Sequence, residues 1–295
     1  MFVFPKPLDI YDRIRPRIKA TVTYFNKSYS GDLQNSVTLY RSFERYYRGP
    51  SRYIICVAAD EVALFKTEFV EFGPALESGR LAFVSEEHVL TSARIDPSSF
   101  ASEGWRRQQV IKLAFAHMCP TDTYVTLDSD NEIIRTFDDR QFFHRGQIKT
   151  SCKNIPVEAV GDDFIKQTFG TNYERLNFVD GYGLWDKAIV LEMEKYLKNH
   201  GLSFVDAISR AAMEQQWYGA YVLSHQKAKF HPTKDHFLLV RGCSMDDPTR
   251  HLPDSDIRRE IAMNMPWRLR SPIGINIHYP AGHRGKSVSA LYRDA

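Results

Sequence analysis

The sequence predicts an α/β fold: a mixed, centrally parallel sheet flanked by helices, with an irregular C-terminal part. Two observations carry this reading. From Ile18 to Asp130, β-rich apolar runs alternate with segments of helical periodicity, the pattern of a parallel sheet covered by helices on both faces. One run, Tyr53-Ile-Ile-Cys-Val-Ala-Ala59, is continuously apolar, as a strand buried on both faces must be. From about Arg140 the pattern becomes mixed, and the C-terminal part is rich in Pro, Asp, Arg and His. That part is expected to wrap the rest as loops and short strands.

The elements follow in order. Ile18–Phe25 reads as the first strand, and Asn26–Gly31 as a polar loop. Asp32 is placed to cap a helix running to about Tyr47 and stopped by Gly49-Pro50. Tyr53–Ala59 is the second strand, with Asp60 at its carboxyl end before a helix through Phe72. Leu81–Val84 is a third, short strand. Gly104–Met118 reads as a helix with two faces. Ile111, Ala114, Phe115 and Met118 form an apolar face, while Trp105, Gln108, Gln109 and Lys112 fall at i, i+3, i+4 and i+7 on a polar one. Pro120 ends the helix, and Thr123–Asp130 follows as a buried strand. Gln147–Cys152 reads as a strand and Phe178–Trp185 as a glycine- and aromatic-rich loop. Asp186 then caps a helix stopped by Gly201, and a further helix runs from near Ser203 to about Leu223. We expect an extension over 1–17, a nucleotide-sugar-binding half over 18–140, and an acceptor-binding half with a C-terminal tail over 141–295, both halves within one domain.

Composition narrows the function classes. The chain has 295 residues and a net charge of +3, too small a charge to argue for nucleic acid. No window approaches the ~18 apolar residues of a membrane span, and the opening Met-Phe-Val-Phe-Pro is too short for a secretory signal. Cys56, Cys119, Cys152 and Cys243 form no zinc pattern and read as buried free thiols in a reducing cytoplasm. A cytoplasmic location, with room for a peripheral position at a membrane surface, is the expectation. There is no Gly-x-Gly-x-x-Gly and no Walker sequence, so the dinucleotide-oxidoreductase and P-loop readings lack their motif.

Asp128 and Asp130 are the leading site residues. Strand side chains alternate, so acids at i and i+2 leave the same face. At a strand end they can hold one hard divalent cation through oxygen; the competing reading is ordinary turn chemistry in Asp-Ser-Asp-Asn. In parallel sheets ligands bind beyond the carboxyl ends of the strands, where the loop after Phe25, Asp60 and this pair should converge. Lys112 is either a solvent-facing lysine or, with its polar face-mates, a ligand contact. Glu214 shares a helical face with Trp217, Tyr218 and Tyr221. This is either the edge of an amphipathic helix or an acceptor site, with rings against a sugar and a carboxylate taking the hydroxyl proton. Asp180, in Val179-Asp-Gly-Tyr-Gly, is either a turn residue or part of an acceptor-lining loop.

The ordered set Trp105/Gln108/Gln109/Lys112/Leu113, Leu127/Asp128/Asp130 and Glu214/Tyr218/Gly219 resembles glycosyltransferases of the GT-A fold. It looks closest to a bacterial and viral family of such enzymes with a Trp…Gln-Gln…Lys-Leu helix, an Asp-x-Asp strand and a Glu-x-x-x-Tyr-Gly segment. The resemblance spans Lys19 to Tyr221. It implies a GT-A-like domain, Mn²⁺ or Mg²⁺ at Asp128 and Asp130, and a nucleoside-diphosphate sugar held by the Trp105–Lys112 face. Glycogenin-like GT-A enzymes add a late His in a His-x-x-Gly-x-x-Lys context. Here His278, Gly282 and Lys286 are each one residue further apart; His278 is the candidate third ligand and Lys286 a candidate phosphate contact. The expected function is a metal-dependent glycosyltransferase with a hydroxyl acceptor such as a carbohydrate, inverting if Glu214 is the base. The alternative is a non-catalytic nucleotide- or sugar-binding protein on the same scaffold. A two-carboxylate hydrolase is disfavoured, because Asp128 and Asp130 are too close in sequence to stand roughly 5–9.5 Å apart across a sugar.

Overall fold

A computed structural model describes residues 22–100, 104–152, 162–170, 176–233, 237–241, 256–259 and 274–278. Its frame is a five-stranded sheet. β1 (Val22–Lys27), β2 (Arg52–Val57), β3 (Leu81–Ser85) and β4 (Thr123–Leu127) are mutually parallel. Between them lie α1 (Leu33–Tyr46), α2 (Val62–Glu68), α3 (Glu86–Ser92) and α4 (Gly104–Ala114). With β5 (Asn131–Ile133) and β6 (Tyr182–Asp186) as the next strands of more than two residues, the sheet order is β3-β2-β1-β4-β6, with β6 antiparallel to β4. The strand expected over Gln147–Cys152 is two short pieces, Gln147–Ile148 and Thr150–Ser151. The chain steps outward from β1 to β3, then returns to place β4 on the other side of β1. That reversal opens a crevice at the carboxyl ends of β1 and β4, where α/β sheets bind ligands.

Side-chain alternation sorts the core into two layers. Tyr53, Ile55, Val57, Val125 and Leu127 pack with α1 and α2 on one face. Ile54, Cys56, Phe25 and Tyr124 face the other, against α4 and the later helices α5 (Asp162–Phe169), α6 (Lys187–Asn199), α7 (Phe204–Arg210) and α8 (Glu214–His225). All six residues of β1 and all five of β4 are buried, as central strands covered on both faces must be.

The structure corrects several sequence expectations. Phe178–Trp185 is not simply a loop: Tyr182–Asp186 is the edge strand β6. Its glycine masks the strand signal, yet Gly183 is required, because a Cβ there would lie 2.5 Å from Thr126 Oγ1. The helix expected from Ser203 to Leu223 is two helices, broken at 211–213, so Glu214 opens a new helix. The helix expected through Phe72 is likewise interrupted by 3₁₀ turns. Asp32 stands at the N-cap of α1 without a side-chain cap bond; its carboxylate faces Asn35 instead. Asp186 caps α6 as expected, accepting from Ala188 N and Ile189 N. Cys56 and Cys119 are buried free thiols and Cys152 is a half-buried one, while Cys243 lies outside the described residues. Among the described residues no helix is long and apolar enough to cross a membrane.

A second, three-stranded sheet abuts the crevice. β7 (Phe237–Arg241) runs parallel to β8 (Gly274–His278), which pairs antiparallel with β5. The β8–β5 register ends at Asn276 opposite Asn131.

Candidate active site

Alternation along β4 builds the site. Asp128 continues the face of Tyr124 and Thr126, which lies under α4 and α8; Ser129 takes the opposite face, under α1. The Tyr124 hydroxyl donates to the Lys112 carbonyl at 3.1 Å, pinning α4 above the strand. Lys112 Nζ then lies 2.7 Å from Asp128 Oδ1 and 3.2 Å from Glu214 Oε1. Lys112 and Glu214 are 4% and 3% exposed, whereas the Asp128 side chain keeps 32% exposure toward solvent. Lys112 is therefore no surface lysine.

Hydrogen-bond complementarity orients the Gln109 amide. Its nitrogen donates to both oxygens of Glu214, at 2.9 Å for Oε1, and its oxygen accepts from Trp105 Nε1 at 3.1 Å. The polar face of α4 is thus a relay: indole, amide, carboxylate, ammonium, carboxylate. Trp105 sits at its open end, 51% exposed; Gln108, on the same face, is half-buried.

Electrostatics follow from this packing. Burial alone lowers the Lys112 ammonium, but Asp128 and Glu214 more than offset it and leave its pKa above the ordinary lysine range. Burial pushes Glu214 up, opposed by the Lys112 charge and reinforced by Asp128. One ammonium faces two carboxylates, so the cluster keeps an excess of negative charge.

The acidic loop is held from below and from the side. Asn26 Nδ2 donates to the Leu127 carbonyl at 2.9 Å. The Ser129 hydroxyl joins Ser28 and Ser36 in a buried cluster. Asn131 Nδ2 donates to the Asp128 carbonyl at 2.9 Å and to the Gly181 carbonyl at 2.6 Å, tying the acids to the segment that carries Asp180. Asp180 is buried: its Oδ2 accepts from Ser151 Oγ and its Oδ1 from Gly181 N. Gln215 completes the join, with Oε1 accepting from Asp180 N at 2.6 Å and Nε2 donating to the carbonyls of Asp180 and Tyr182. Asn131, Ser129 and Gln215 are site residues that the sequence alone does not single out. Two consecutive glutamines beside Glu214, ahead of the run Trp217–Leu223, are the available signal for Gln215.

Other candidates are placed differently. Trp217, Tyr218 and Tyr221 do share a face with Glu214, but all three are buried at 5% exposure or less. Trp217 donates to the Ala211 carbonyl, Tyr218 OH accepts from Asp186 N, and Tyr221 stacks on His225. These rings are core, not a sugar-facing surface. Asp60 is exposed in the turn after β2, outside the ionic relay. The backbone of His278 ends β8, two residues past the Asn276–Asn131 pair, so the register carries it toward the acidic loop. Lys286 lies outside the described residues.

Among the described residues no three His, Cys, Asp or Glu side chains gather as a metal cage. Asp128 and Asp130 nonetheless offer hard oxygens at one strand end. The Asp128 carboxylate, paired through Oδ1 with the Lys112 ammonium, keeps 32% exposure on its open side. That donor set suits a divalent ion of the Mg²⁺ type, which binds through one or two carboxylates and takes further ligands from phosphate.

A family model of unknown function, DUF6492, matches residues 18–237. The chain belongs to this family. No curated protein matches it. Solved structures share the architecture. Mouse xyloside xylosyltransferase 1 aligns over 87% of this chain and 97% of its own, at 12% identity and TM-score 0.53. The galactosyltransferase LgtC, solved with donor and acceptor sugar analogues, aligns over 92% and 93%, at 10% identity and TM-score 0.50. The bifunctional glycosyltransferase WbbM aligns over 92% of this chain at 12% identity and TM-score 0.49; the chain spans 47% of WbbM's length. At these identities the likeness to the xylosyltransferase and to LgtC shows the fold: a mixed α/β domain shared with glycosyltransferases.

Proposed function

We propose that this DUF6492 protein is a metal-dependent glycosyltransferase that moves a sugar from a nucleoside-diphosphate donor to a hydroxyl acceptor. The observation that carries the reading is the Lys112–Asp128–Glu214 cluster at the carboxyl ends of β1 and β4. It combines a buried ammonium, a partly exposed carboxylate and a buried carboxylate of raised pKa at the crevice of the sheet. Asp128 and Asp130 would hold Mn²⁺ or Mg²⁺, with His278 the candidate third ligand. A bound cation would neutralise the departing diphosphate. The glycosyltransferase fold of the solved neighbours supports the same reading.

In this proposal Lys112 donates to the donor's phosphate as negative charge gathers there. The acceptor hydroxyl oxygen attacks the anomeric carbon and the bond from that carbon to the diphosphate oxygen breaks. The hydroxyl proton passes to a Glu214 oxygen, so the anomeric configuration inverts. Burial raises the basicity of Glu214, and Gln109 fixes its plane. Asp180 is the next carboxylate, held behind Ser151 and Gly181. The exposed Tyr29 ring in the loop after β1 is the available stacking surface for a nucleobase.

A second reading, a non-catalytic nucleotide- or sugar-binding protein, draws on one observation: both Glu214 oxygens are already engaged by Lys112 and Gln109. A screen of UDP-, GDP- and other nucleotide sugars for slow Mn²⁺-dependent hydrolysis separates the two. Release of nucleoside diphosphate from at least one donor, lost in Asp130→Ala, is expected for the enzyme. Binding without release from any donor supports the second reading.

A further inference from the structure

Trp105 is one of four large apolar side chains exposed among the described residues, and it alone is wired into the ionic relay. Its indole N–H is spent on Gln109, whose amide nitrogen holds Glu214. The ring is therefore fixed in orientation while half its surface stays open. Leaving an indole in water forfeits the burial that usually holds such a ring in place, and here a hydrogen bond holds it instead. Exposed, orientation-locked aromatic rings with a satisfied polar edge are what ligand surfaces use as anchors, because little freedom is lost on binding.

Position then selects the ligand. Lys112 marks the phosphate end of the relay, and Trp105 lies seven residues earlier on α4, about 10 Å along the helix axis. The side chains of both residues lean toward the N-terminus, which leaves that separation in place. That span exceeds one sugar ring. A ring seated on Trp105 therefore lies beyond the sugar attached to the diphosphate, on the side of Glu214. The indole offers a flat apolar face, and Gln108 stands one turn along on the same helix face. A flat apolar face bordered by an amide matches a pyranose, which has one C–H face and a rim of hydroxyls.

We infer that Trp105 is the stacking platform for a carbohydrate acceptor, placed by Gln109 so that an acceptor hydroxyl meets Glu214. This deepens the transferase reading and rests on it for the identity of the site. It also moves Trp105 from the donor side, where the sequence resemblance puts it, to the acceptor side.

The test uses the full chain saturated with UDP or GDP and Mn²⁺ on a carbohydrate microarray, comparing wild type, Trp105→Ala and Trp105→Phe. Nucleotide affinity and thermal stability are measured for each. Wild type is expected to bind at least one glycan class. Trp105→Ala should weaken that binding about tenfold or more. Trp105→Phe, which keeps a ring but loses the N–H to Gln109, should fall between them. Nucleotide affinity should match wild type in both variants. Three results overturn the inference: no glycan bound by wild type, glycan binding unchanged in Trp105→Ala, or nucleotide affinity falling in step with glycan affinity. If wild type binds no nucleotide yet binds glycan through Trp105, the transferase reading fails and the platform stands.

Discussion

Lys112 decides most at the scale of single residues. It is buried between two carboxylates, and removing one partner of a buried ion pair typically costs about 3–5 kcal/mol. Lys112→Met should therefore lower both stability in urea unfolding and nucleotide affinity. Replacing Glu214 as well, in Lys112→Met/Glu214→Leu, should recover part of the stability, since an apolar pair avoids the stranded charge. A double variant less stable than Lys112→Met alone would contradict the pairing. Glu214→Gln keeps the shape and removes the base; turnover should fall by about 10²–10⁴-fold with nucleotide affinity retained. Wild-type turnover in that variant would remove Glu214 from the proton path. The sequence placed Trp105, Gln108, Gln109 and Lys112 on one face because helical period is a local property. It could not show that Lys112 is buried, since its partners come from 16 and 102 residues away along the chain. The same limit leaves Trp217, Tyr218 and Tyr221 open between core and acceptor surface in the sequence. Periodicity gives a shared face, not whether that face meets solvent or core.

Among elements, α8 shows how a helix can be held by fit. A Cβ on Gly219 would approach the Phe178 ring to 2.1 Å. Gly219→Ala gains about 1 kcal/mol of helix propensity but overpacks this contact, which costs about 1–3 kcal/mol. Net destabilisation is expected, and a rise in melting temperature would show that Phe178 yields freely. On the far face of the sheet, buried Asp139 accepts from Tyr24, Tyr47 and Ser51, joining β1, the end of α1 and the start of β2. Burial raises its pKa, partly offset by those three hydroxyls. The sign follows from linkage: a carboxyl whose folded pKa lies above its unfolded value contributes stability below the unfolded value and loses it as pH rises through the folded one. Wild-type stability relative to Asp139→Asn should therefore decline as pH climbs from the ordinary Asp range through that raised value. A difference independent of pH would show that Asp139 does not titrate differently on folding. β6 was hidden in the sequence because Gly181 and Gly183 look like turn residues, and only the neighbouring Trp185 and Thr126 side chains explain why glycine is needed inside a strand.

For the molecule as a whole, the fold was the most legible feature. Strand–helix alternation to Asp130 gave the parallel core, and the β3-β2-β1-β4 order then sets the crevice beneath Asp128. The closing of the site was not legible, because it depends on joins between distant segments: Asn131 to Gly181, Gln215 to Asp180, and β8 to β5. In the proposed function Asp128 and Asp130 hold a cation that recruits a nucleoside diphosphate. Calorimetric titration of UDP and GDP, with and without Mn²⁺, on wild type and Asp130→Ala tests it most directly. Wild type should bind at least one nucleotide only with Mn²⁺, and a folded Asp130→Ala should lose that binding. Equal affinity with and without metal, or an undiminished affinity in the variant, would contradict it.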